Sequence, residues 1–361
     1  MYPAEHPNYD AKGMPFRLLG NSGLRVPLFS LGGWLTLGGS VKGDPVKEII
    51  KAAWENGINM FDTAESYAGG QSEIEMGRVI KELNFRRSDL IITTKLFWGV
   101  RKGPNDTGLS RKHIIEGTRE SLQRLGLEYV DVIFAHRADH SVPMEEVVRA
   151  FNFVIEKGYA LYWGTSEWSA QQIEEAHHVA TKLGLIAPIA EQCEHHLLHR
   201  DHPEREFAHL YRKYNLGTMV FSPLFGGILT GKYNNGIPDD SRLAVEQEDQ
   251  FKRKIEFLKS PEGQRQIEII RKLSDLAEKE LGCSVSQLAL AWVARNPNTS
   301  SVILGASKPE QVRDNLKALE VIPKLTPAVL AKIDEIVGNK PAPWPTYGRL
   351  ALDPLSKFGV L

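Results

Sequence analysis

A closed parallel (β/α)8 barrel, the TIM-barrel class, is the fold this 361-residue sequence predicts. Three observations point to it. Short apolar runs recur from about residue 27 to about residue 320, and eight of them can be picked out. Each run is continuous rather than alternating and rich in Ile, Val, Phe or Thr, as suits strands buried on both faces. Longer amphipathic stretches separate the runs, several opening on a capping residue and stopping on Gly. A doubly wound open sheet is the competing architecture. No G-x-G-x-x-G follows the first run, which argues against an open dinucleotide-binding sheet.

Along the chain, FRLLGNSGLRVPLFSLGG at 16–33 reads as two short strands joined by the turn Asn21-Ser22-Gly23. A hairpin ahead of the first barrel strand is placed to plug the barrel's N-terminal end. The strand runs are then PLFSLGG, INMFDTA, LIITTKL, VDVIFAH, ALYWGTS, PIAEQCE, TMVFSPL and SVILGAS. Between them, DPVKEIIKAAWENG has an acidic start and a Gly stop. SRKHIIEGTRESLQRLG opens on a Ser cap and ends on Gly, and PMEEVVRAFNFVIEKG and SAQQIEEAHHVATKLG repeat the scheme. Residues 226–262 read as a long, charged, Gly-containing connection after the seventh strand, and loops of that length are usually functional. From Gly338 the chain is Pro-rich, GNKPAPWPTYGRL, and reads as a tail without regular structure. The expectation is one domain over 1–361, with a core at about 16–338 and a tail at 339–361.

The composition narrows the function classes. Lys+Arg is 44 and Asp+Glu 45, a formal net charge of −1, so charge gives no reason to expect nucleic acid or an anionic membrane as partner. Only two cysteines occur, Cys193 and Cys283, too few for a disulfide framework or a Cys-based zinc site. The N-terminal segment MYPAEHPNYDAKG lacks an apolar core, and no apolar run approaches the roughly 18–20 residues that span a bilayer. These features predict a soluble, cytoplasmic protein with no membrane span.

In a (β/α)8 barrel, residues at the C-terminal ends of the strands share one pocket. Asp62 closes the second strand, Lys95 sits near the end of the third, and His136 ends the fourth. Ser166 ends the fifth, Gln192 lies in the sixth, and Ser222 is read as lying in the seventh. A lysine inside LIITTKLF is costly to bury unless paired, and Asp62 on the adjacent strand is the natural partner. Tyr67, five positions past Asp62, can hang over the same mouth. A phenol has an ordinary pKa of about 10. A nearby ammonium favours the phenolate, a carboxylate holds the ammonium in place, and a His can orient a carbonyl or assist proton transfer. Together they form a general acid for carbonyl reduction. No side chain donates hydride, so a nicotinamide or flavin is implied. Taken singly, a strand-end Asp is as well read as a helix cap, and a Tyr as a packing residue. Four such groups around one mouth favour chemistry.

Two other motifs compete. Gly226-x4-Gly231-Lys232 nearly spells a P-loop, but Tyr233 stands where the magnesium-binding Ser/Thr belongs. Phosphate binding remains the reading there, without nucleotide hydrolysis. EHHLLHRDH at 194–202 carries His195, His196, His199 and His202. A zinc site is open by pattern. The preferred reading is a polar connection beside the substrate pocket, with no metal.

The spacing Asp62-x4-Tyr67, followed by Lys95 and His136, resembles the catalytic tetrad of the aldo-keto reductases. The resemblance runs from about Phe16 to Gly338. It is closest to the branch holding the β subunits of voltage-gated potassium channels and their microbial relatives, through LGGWLTLGG, YWGTSEWS, PMEEVVRA, SPLFGGILTGKY and SVILGAS. It implies an NADPH-dependent barrel that reduces an aldehyde or ketone to the alcohol. Tyr67 would donate the proton, Lys95 and Asp62 would lower its pKa, and His136 would orient the substrate. The channel subunits typically carry Asn in place of His136, and Arg where this chain has Glu167. The His favours an active reductase over the alternative, a channel-β-like regulatory or redox-sensing NADPH-binding subunit with slow turnover. A sugar-phosphate or small-triose reductase is a narrower enzymatic alternative. The family's tetramer habit implies a homo-oligomer.

The same resemblance assigns cofactor positions. Gly33 and Trp34 would line the nicotinamide end, with Asp62 beside it, and Ser166 and Gln192 would reach its carboxamide. Ser222, Pro223, Leu224, Gly226 and Gly227 would track the pyrophosphate with Lys232, and Arg242 would help hold the adenosine phosphate. Gly305, Ser307, Gln311 and Asn315 would hold the adenosine half, with Asp314 in place of a family Glu. Ser307 and Lys308 at a helix start form a reasonable anion site, which favours NADPH over NADH. Trp34, Phe97, Trp98, His195, the long loop and the tail would shape the substrate pocket.

Overall fold

The computed structural model describes residues 6–239, 241–245, 249–342 and 347–349. Its strands are β1 Phe16–Leu18, β2 Arg25–Pro27, β3 Phe29–Gly32, β4 Met60–Asp62, β5 Ile91–Leu96, β6 Val130–Ala135, β7 Ala160–Ser166, β8 Ala190–Glu194, β9 Gly217–Phe221 and β10 Thr299–Leu304. The first helices are α1 Asp44–Glu55, α2 Gln71–Glu82, α3 Arg111–Leu125, α4 Met144–Glu156, α5 Ala170–Leu183 and α6 Ala208–Tyr214. They are followed by α7 Arg242–Val245, α8 Asp249–Lys259, α9 Pro261–Leu276, α10 Val285–Arg295, α11 Pro309–Leu316, α12 Ala318–Val321 and α13 Pro327–Val337. Strands β3 to β10 close into a parallel barrel in the order β10-β3-β4-β5-β6-β7-β8-β9. All eight predicted runs are barrel strands, in sequence order.

The helix boundaries follow from capping chemistry. Ser110 accepts the His113 N–H ahead of α3, and Ser169 and Gln172 form a reciprocal capping box at α5. Both helices stop at a left-handed glycine, Gly126 at φ 63° and Gly184 at φ 65°. The main apolar core lies between the outer face of the barrel and these helices, with Phe61, Ile92, Ile133 and Trp163 buried there.

β1 and β2 pair antiparallel, as the sequence predicted. The hairpin does plug the barrel floor. Leu19 and Val26 are fully buried against Met60, Ile91, Val132, Phe134, Met219 and Ile303. Ser300 donates its hydroxyl to the Leu18 carbonyl at 2.9 Å, and Arg17 donates to the Asn296 carbonyl at 2.8 Å. Glycine is required where the plug meets β9: a Cβ on Gly217 would collide with the Gly20 backbone nitrogen.

Three expectations need correction. The connection at 226–262 is not irregular, since it carries α7 and α8 and reaches into α9. Phe251, Ile255 and Leu258 lie four and three apart and share one helical face, an apolar stripe that the charged composition hides. Ser222 lies one residue past β9 rather than inside the seventh strand, with φ at 51°. His136 likewise follows the last residue of β6. Of the Pro-rich tail, 339–342 forms no regular element, and 343–346 and 350–361 fall outside the described residues.

Because Gly217 touches backbone, Gly217→Ala is expected to destabilise the protein by about 1–3 kcal/mol through overpacking. Urea unfolding measures it; an unchanged midpoint would show that the plug yields freely.

Candidate active site at the mouth of the barrel

Strand parity builds this site. Side chains alternate along a strand, so Met60 and Asp62 share one face, as do Ile91, Thr93 and Lys95. Near the plug the inward positions are apolar: Met60, Ile91, Val132, Phe134, Ala190 and Met219. Two or four residues further on, the same faces present Asp62, Thr93, Lys95, His136 and Gln192. The barrel interior therefore changes from oil to polar network within its own height. β7 makes room for this packing with Gly164, where a Cβ would come within 2.5 Å of the Phe134 ring.

Lys95 has no exposed surface, and its Nζ makes three contacts. It donates to Asp62 Oδ2 at 2.5 Å, to the Thr63 carbonyl at 2.8 Å and to the Tyr67 hydroxyl at 3.0 Å. An ammonium has three protons, so its hydrogen-bonding capacity is fully used. Asp62 is held in turn. The Thr93 hydroxyl donates to Asp62 Oδ1 at 2.6 Å, and Gln192 Nε2 donates to the same oxygen at 3.0 Å. β8 lies opposite β4 in the barrel order, so Gln192 reaches this carboxylate across the interior. Tyr67 follows β4 by a short turn in which its N–H donates to the Ala64 carbonyl at 3.1 Å. The His136 ring meets the Tyr67 ring edge-on, centroids 5.8 Å apart. The four candidate catalytic residues thus converge.

Burial and charge set the protonation states. Burial works to lower the Lys95 ammonium, but Asp62 and Tyr67 outweigh it and hold it above its ordinary value. For Tyr67, burial is the largest influence and raises the phenol, Lys95 pulls it down and Asp62 pushes it up. The net direction is upward. This corrects the expectation that Lys95 and Asp62 together lower it: of that pair the lysine alone does, with a smaller contribution from Arg137, and the two moderate the burial without overcoming it. His136 is pushed down to about 2 by burial first, then by the charges of Lys95 and Arg137. Its buried Nδ1 has no hydrogen-bond partner among the described residues.

Several of the predicted cofactor residues stand at or just past the C-terminal ends of barrel strands. Gly33 donates its N–H to the Asp62 carbonyl at 2.8 Å, and Trp34 beside it is 47% exposed. Ser166 is buried and pairs in register with Gln192. Glu167 adopts φ 56° and turns outward, where its Oε1 accepts the Glu194 N–H at 2.7 Å. After β9, Ser222, Phe225, Gly226 and Gly227 all take positive φ, with Pro223 and Leu224 between them. A Cβ on Gly226 would collide with Lys254 Nζ, and one on Gly227 would come within 3.2 Å of Lys232 Nζ. Two ammonium groups therefore lie against a bare backbone loop, a cradle shaped for an anion. Lys254, from α8, is absent from the sequence-based assignment; the amphipathic stripe of DQFKRKIEFLK was its only trace. Arg242 opens α7, and its side chain lies outside the described residues.

On the far side, α11 starts after Lys308 with no side-chain cap; Pro309 has no N–H to offer and the Gln311 N–H donates to the Lys308 carbonyl at 3.2 Å, which leaves the Glu310 N–H as the one turned to the helix start. Gly305 and Ser307 precede it. Gln311 Oε1 accepts both the Ser307 N–H at 2.7 Å and the Ser307 hydroxyl at 3.1 Å, and Asn315 is buried on the same helix. Asp314 is otherwise engaged, accepting from Gln287 and Lys317, each at 3.0 Å.

The histidine run is tied into the protein by ion pairs and ring contacts. His195 is buried, 3.1 Å from Glu204 and edge-on to Trp292, where Arg200 also bonds Glu204 and Asp334. His196 pairs with Glu194. Among the described residues no three His, Cys, Asp or Glu side chains converge as a metal would need.

The sequence model of the aldo/keto reductase family matches residues 29–338. The chain is 56% identical over 336 residues to a Schizosaccharomyces pombe protein, covering 92% of this chain and 96% of that one. It is 49% identical over 329 residues to an Arabidopsis thaliana protein, covering 91% and 98%. Both are named as candidate voltage-gated potassium channel subunits beta. No helix among the described residues is long and apolar enough to cross a membrane.

His136 supplies a direct check. Its folded pKa lies below the ordinary 6.5, so below that pH the unfolded chain gains a proton that the native chain refuses. The stability it contributes is present above 6.5 and is lost as pH falls toward 2. Its ring resonances in NMR are expected not to titrate from pH 8 to about 5; a midpoint near 6.5 would overturn the assignment.

Proposed function

The chain belongs to the aldo/keto reductase family, and from that premise and the site geometry we propose that it is an NADPH-dependent reductase of aldehydes or ketones. The observation that carries this reading is the Lys95 ammonium bridging Asp62 at 2.5 Å and Tyr67 at 3.0 Å, with no exposed surface of its own.

The donor set fits a dinucleotide diphosphate. Lys232 and Lys254 against Gly226 and Gly227 would hold it, with Ser222, Pro223 and Leu224 leading into the turn. Arg242 would help hold the adenosine phosphate, with Ser307 and Lys308 at the start of α11, and Gly305, Gln311 and Asn315 would hold the adenosine half. Ser166 and Gln192 would meet the nicotinamide carboxamide, beside Gly33 and Trp34. Bound there, NADPH supplies the hydride that no side chain can.

The protein's own residues handle the oxygen and the proton. The carbonyl oxygen sits between the Tyr67 hydroxyl and the His136 imidazole. Tyr67 gives its proton to that oxygen as charge builds there. It is left as phenolate, stabilised by the Lys95 ammonium at 3.0 Å until solvent returns the proton. Asp62 keeps Lys95 charged and aimed, and Thr93 and Gln192 keep Asp62 in place. His136, neutral at physiological pH, serves as a hydrogen-bond partner that orients the carbonyl, since imidazole is a far weaker acid than phenol.

The relatives' names favour a second reading: an NADPH-binding regulatory subunit with slow turnover, assembled with a channel. The two readings share a cofactor site and differ in turnover.

NADPH oxidation measured against an aldehyde panel separates them. On the best substrate, Tyr67→Phe is expected to lower kcat about 10²–10⁴-fold with NADPH affinity retained. Full turnover in that variant would remove Tyr67 as proton donor. Tight NADPH binding by wild-type protein with no aldehyde reduced would favour the regulatory reading.

A further inference from the structure

Two residues before Tyr67 lies a carboxylate that the reduction does not use. Glu65 is 2% exposed. Its own N–H donates to the Lys95 carbonyl at 3.1 Å, which fixes its backbone beside the end of β5. Its Oε1 accepts three hydrogen bonds: from the Phe97 N–H at 2.7 Å, the Gly99 N–H at 2.8 Å and His113 Nε2 at 3.1 Å. Gly117, inside α3, makes space for it, since a Cβ there would come within 3.2 Å of Glu65 Oε2. A buried carboxylate is costly, and this one is repaid by two backbone donors of one loop and a ring from the next helix.

Those two backbone donors flank Trp98. With the N–H groups on either side turned toward one oxygen, the backbone on both sides of Trp98 is held in place. Trp98 is 51% exposed, edge-on to Phe97 at 4.8 Å and to His136 at 6.4 Å. The neck of the loop is closed by the Gly108 N–H on the Phe97 carbonyl at 2.7 Å. Gly99 takes φ 64°, and a Cβ there would collide with the Asp106 carbonyl oxygen. Every one of these restraints meets at Glu65 or at its two backbone donors. An exposed indole beside His136 is a flat apolar wall that recognises a planar, aromatic carbonyl compound and gives little to a short aliphatic one.

We propose that Glu65 is a positioning residue that clamps the Phe97–Gly99 segment so that Trp98 forms the aromatic wall of the substrate pocket, selecting aromatic over short aliphatic aldehydes. The kinetic part rests on the reductase reading; the structural part does not.

Amide hydrogen exchange on the protein without substrate tests the clamp. The Phe97 and Gly99 amides are expected to exchange at least about tenfold more slowly than the Trp98 amide, and to lose that protection in Glu65→Ala. Glu65→Gln should keep it, because the amide oxygen still accepts both bonds. Equal exchange of the three amides in wild-type protein overturns the proposal even if the alanine variant does not fold. Kinetics with 4-nitrobenzaldehyde and propanal test the selection. Glu65→Ala and Trp98→Ala are each expected to raise KM for the aromatic aldehyde about tenfold, and several-fold more than they raise it for propanal. The double variant should do no more than either single change, and Glu65→Gln should rescue. A fall in kcat on both aldehydes in Glu65→Ala, with KM unchanged, would mean that Glu65 acts on Tyr67 and would overturn the wall. Slow exchange at Phe97 and Gly99 with no turnover on any aldehyde would leave the clamp standing and remove the reductase reading.

Discussion

A lysine with no exposed surface, closed off inside a barrel, is the constraint on which this structure turns. An ammonium at that depth is tolerated only if its charge is matched and its protons are used. Asp62 matches the charge, and the Thr63 carbonyl and the Tyr67 hydroxyl take the remaining protons. Each of these partners needs its own support. Asp62 requires Thr93 from the next strand and Gln192 from the opposite one, and Tyr67 requires the turn that follows β4. Removing one partner of such a pair typically costs about 3–5 kcal/mol, because the other charge is left buried alone. Stability alone does not account for the arrangement, since an apolar filling of similar volume is often as stable.

The barrel provides the support by arithmetic. A parallel strand buried on both faces sends alternate residues inward, so a change from apolar to polar two residues along becomes a change in layer. Below this layer the hairpin residues Leu19 and Val26 close the floor, so solvent reaches the polar layer from one end only. Above it, loops of different strands supply contrasting surfaces: indoles after β3 and β5, and a glycine turn with two lysines after β9. The imidazole of His136 stands edge-on to the indole after β5 and to the Tyr67 ring.

Much of this was legible in the sequence because the relevant residues break a local rule. Lys95 interrupts an apolar strand, Asp62 ends one abruptly, and both anomalies need a partner of opposite charge. The strand count and the Ser and Gly boundaries were legible for the same local reasons. What escaped depends on contacts between distant segments. Lys254 reads as one cation among many, and only the folding of α8 back onto Gly226 gives it a place. Glu65 reads as an ordinary loop carboxylate, since its three donors come from residues more than thirty positions away. His195 reads as one of four histidines in a polar run, and its partners Glu204 and Trp292 come from positions that spacing does not reveal. The direction of the Tyr67 shift was also misjudged, because burial has no signature in spacing.

The central claim is that Lys95 and Tyr67 act as one unit, so a double-mutant cycle on kcat tests it most directly. Lys95→Met, Tyr67→Phe and the double variant would be compared with wild-type protein under saturating NADPH and aldehyde. The account predicts that the double variant loses no more than the worse of the two single variants, because the lysine acts only through the phenol. Losses that multiply across the cycle would contradict it.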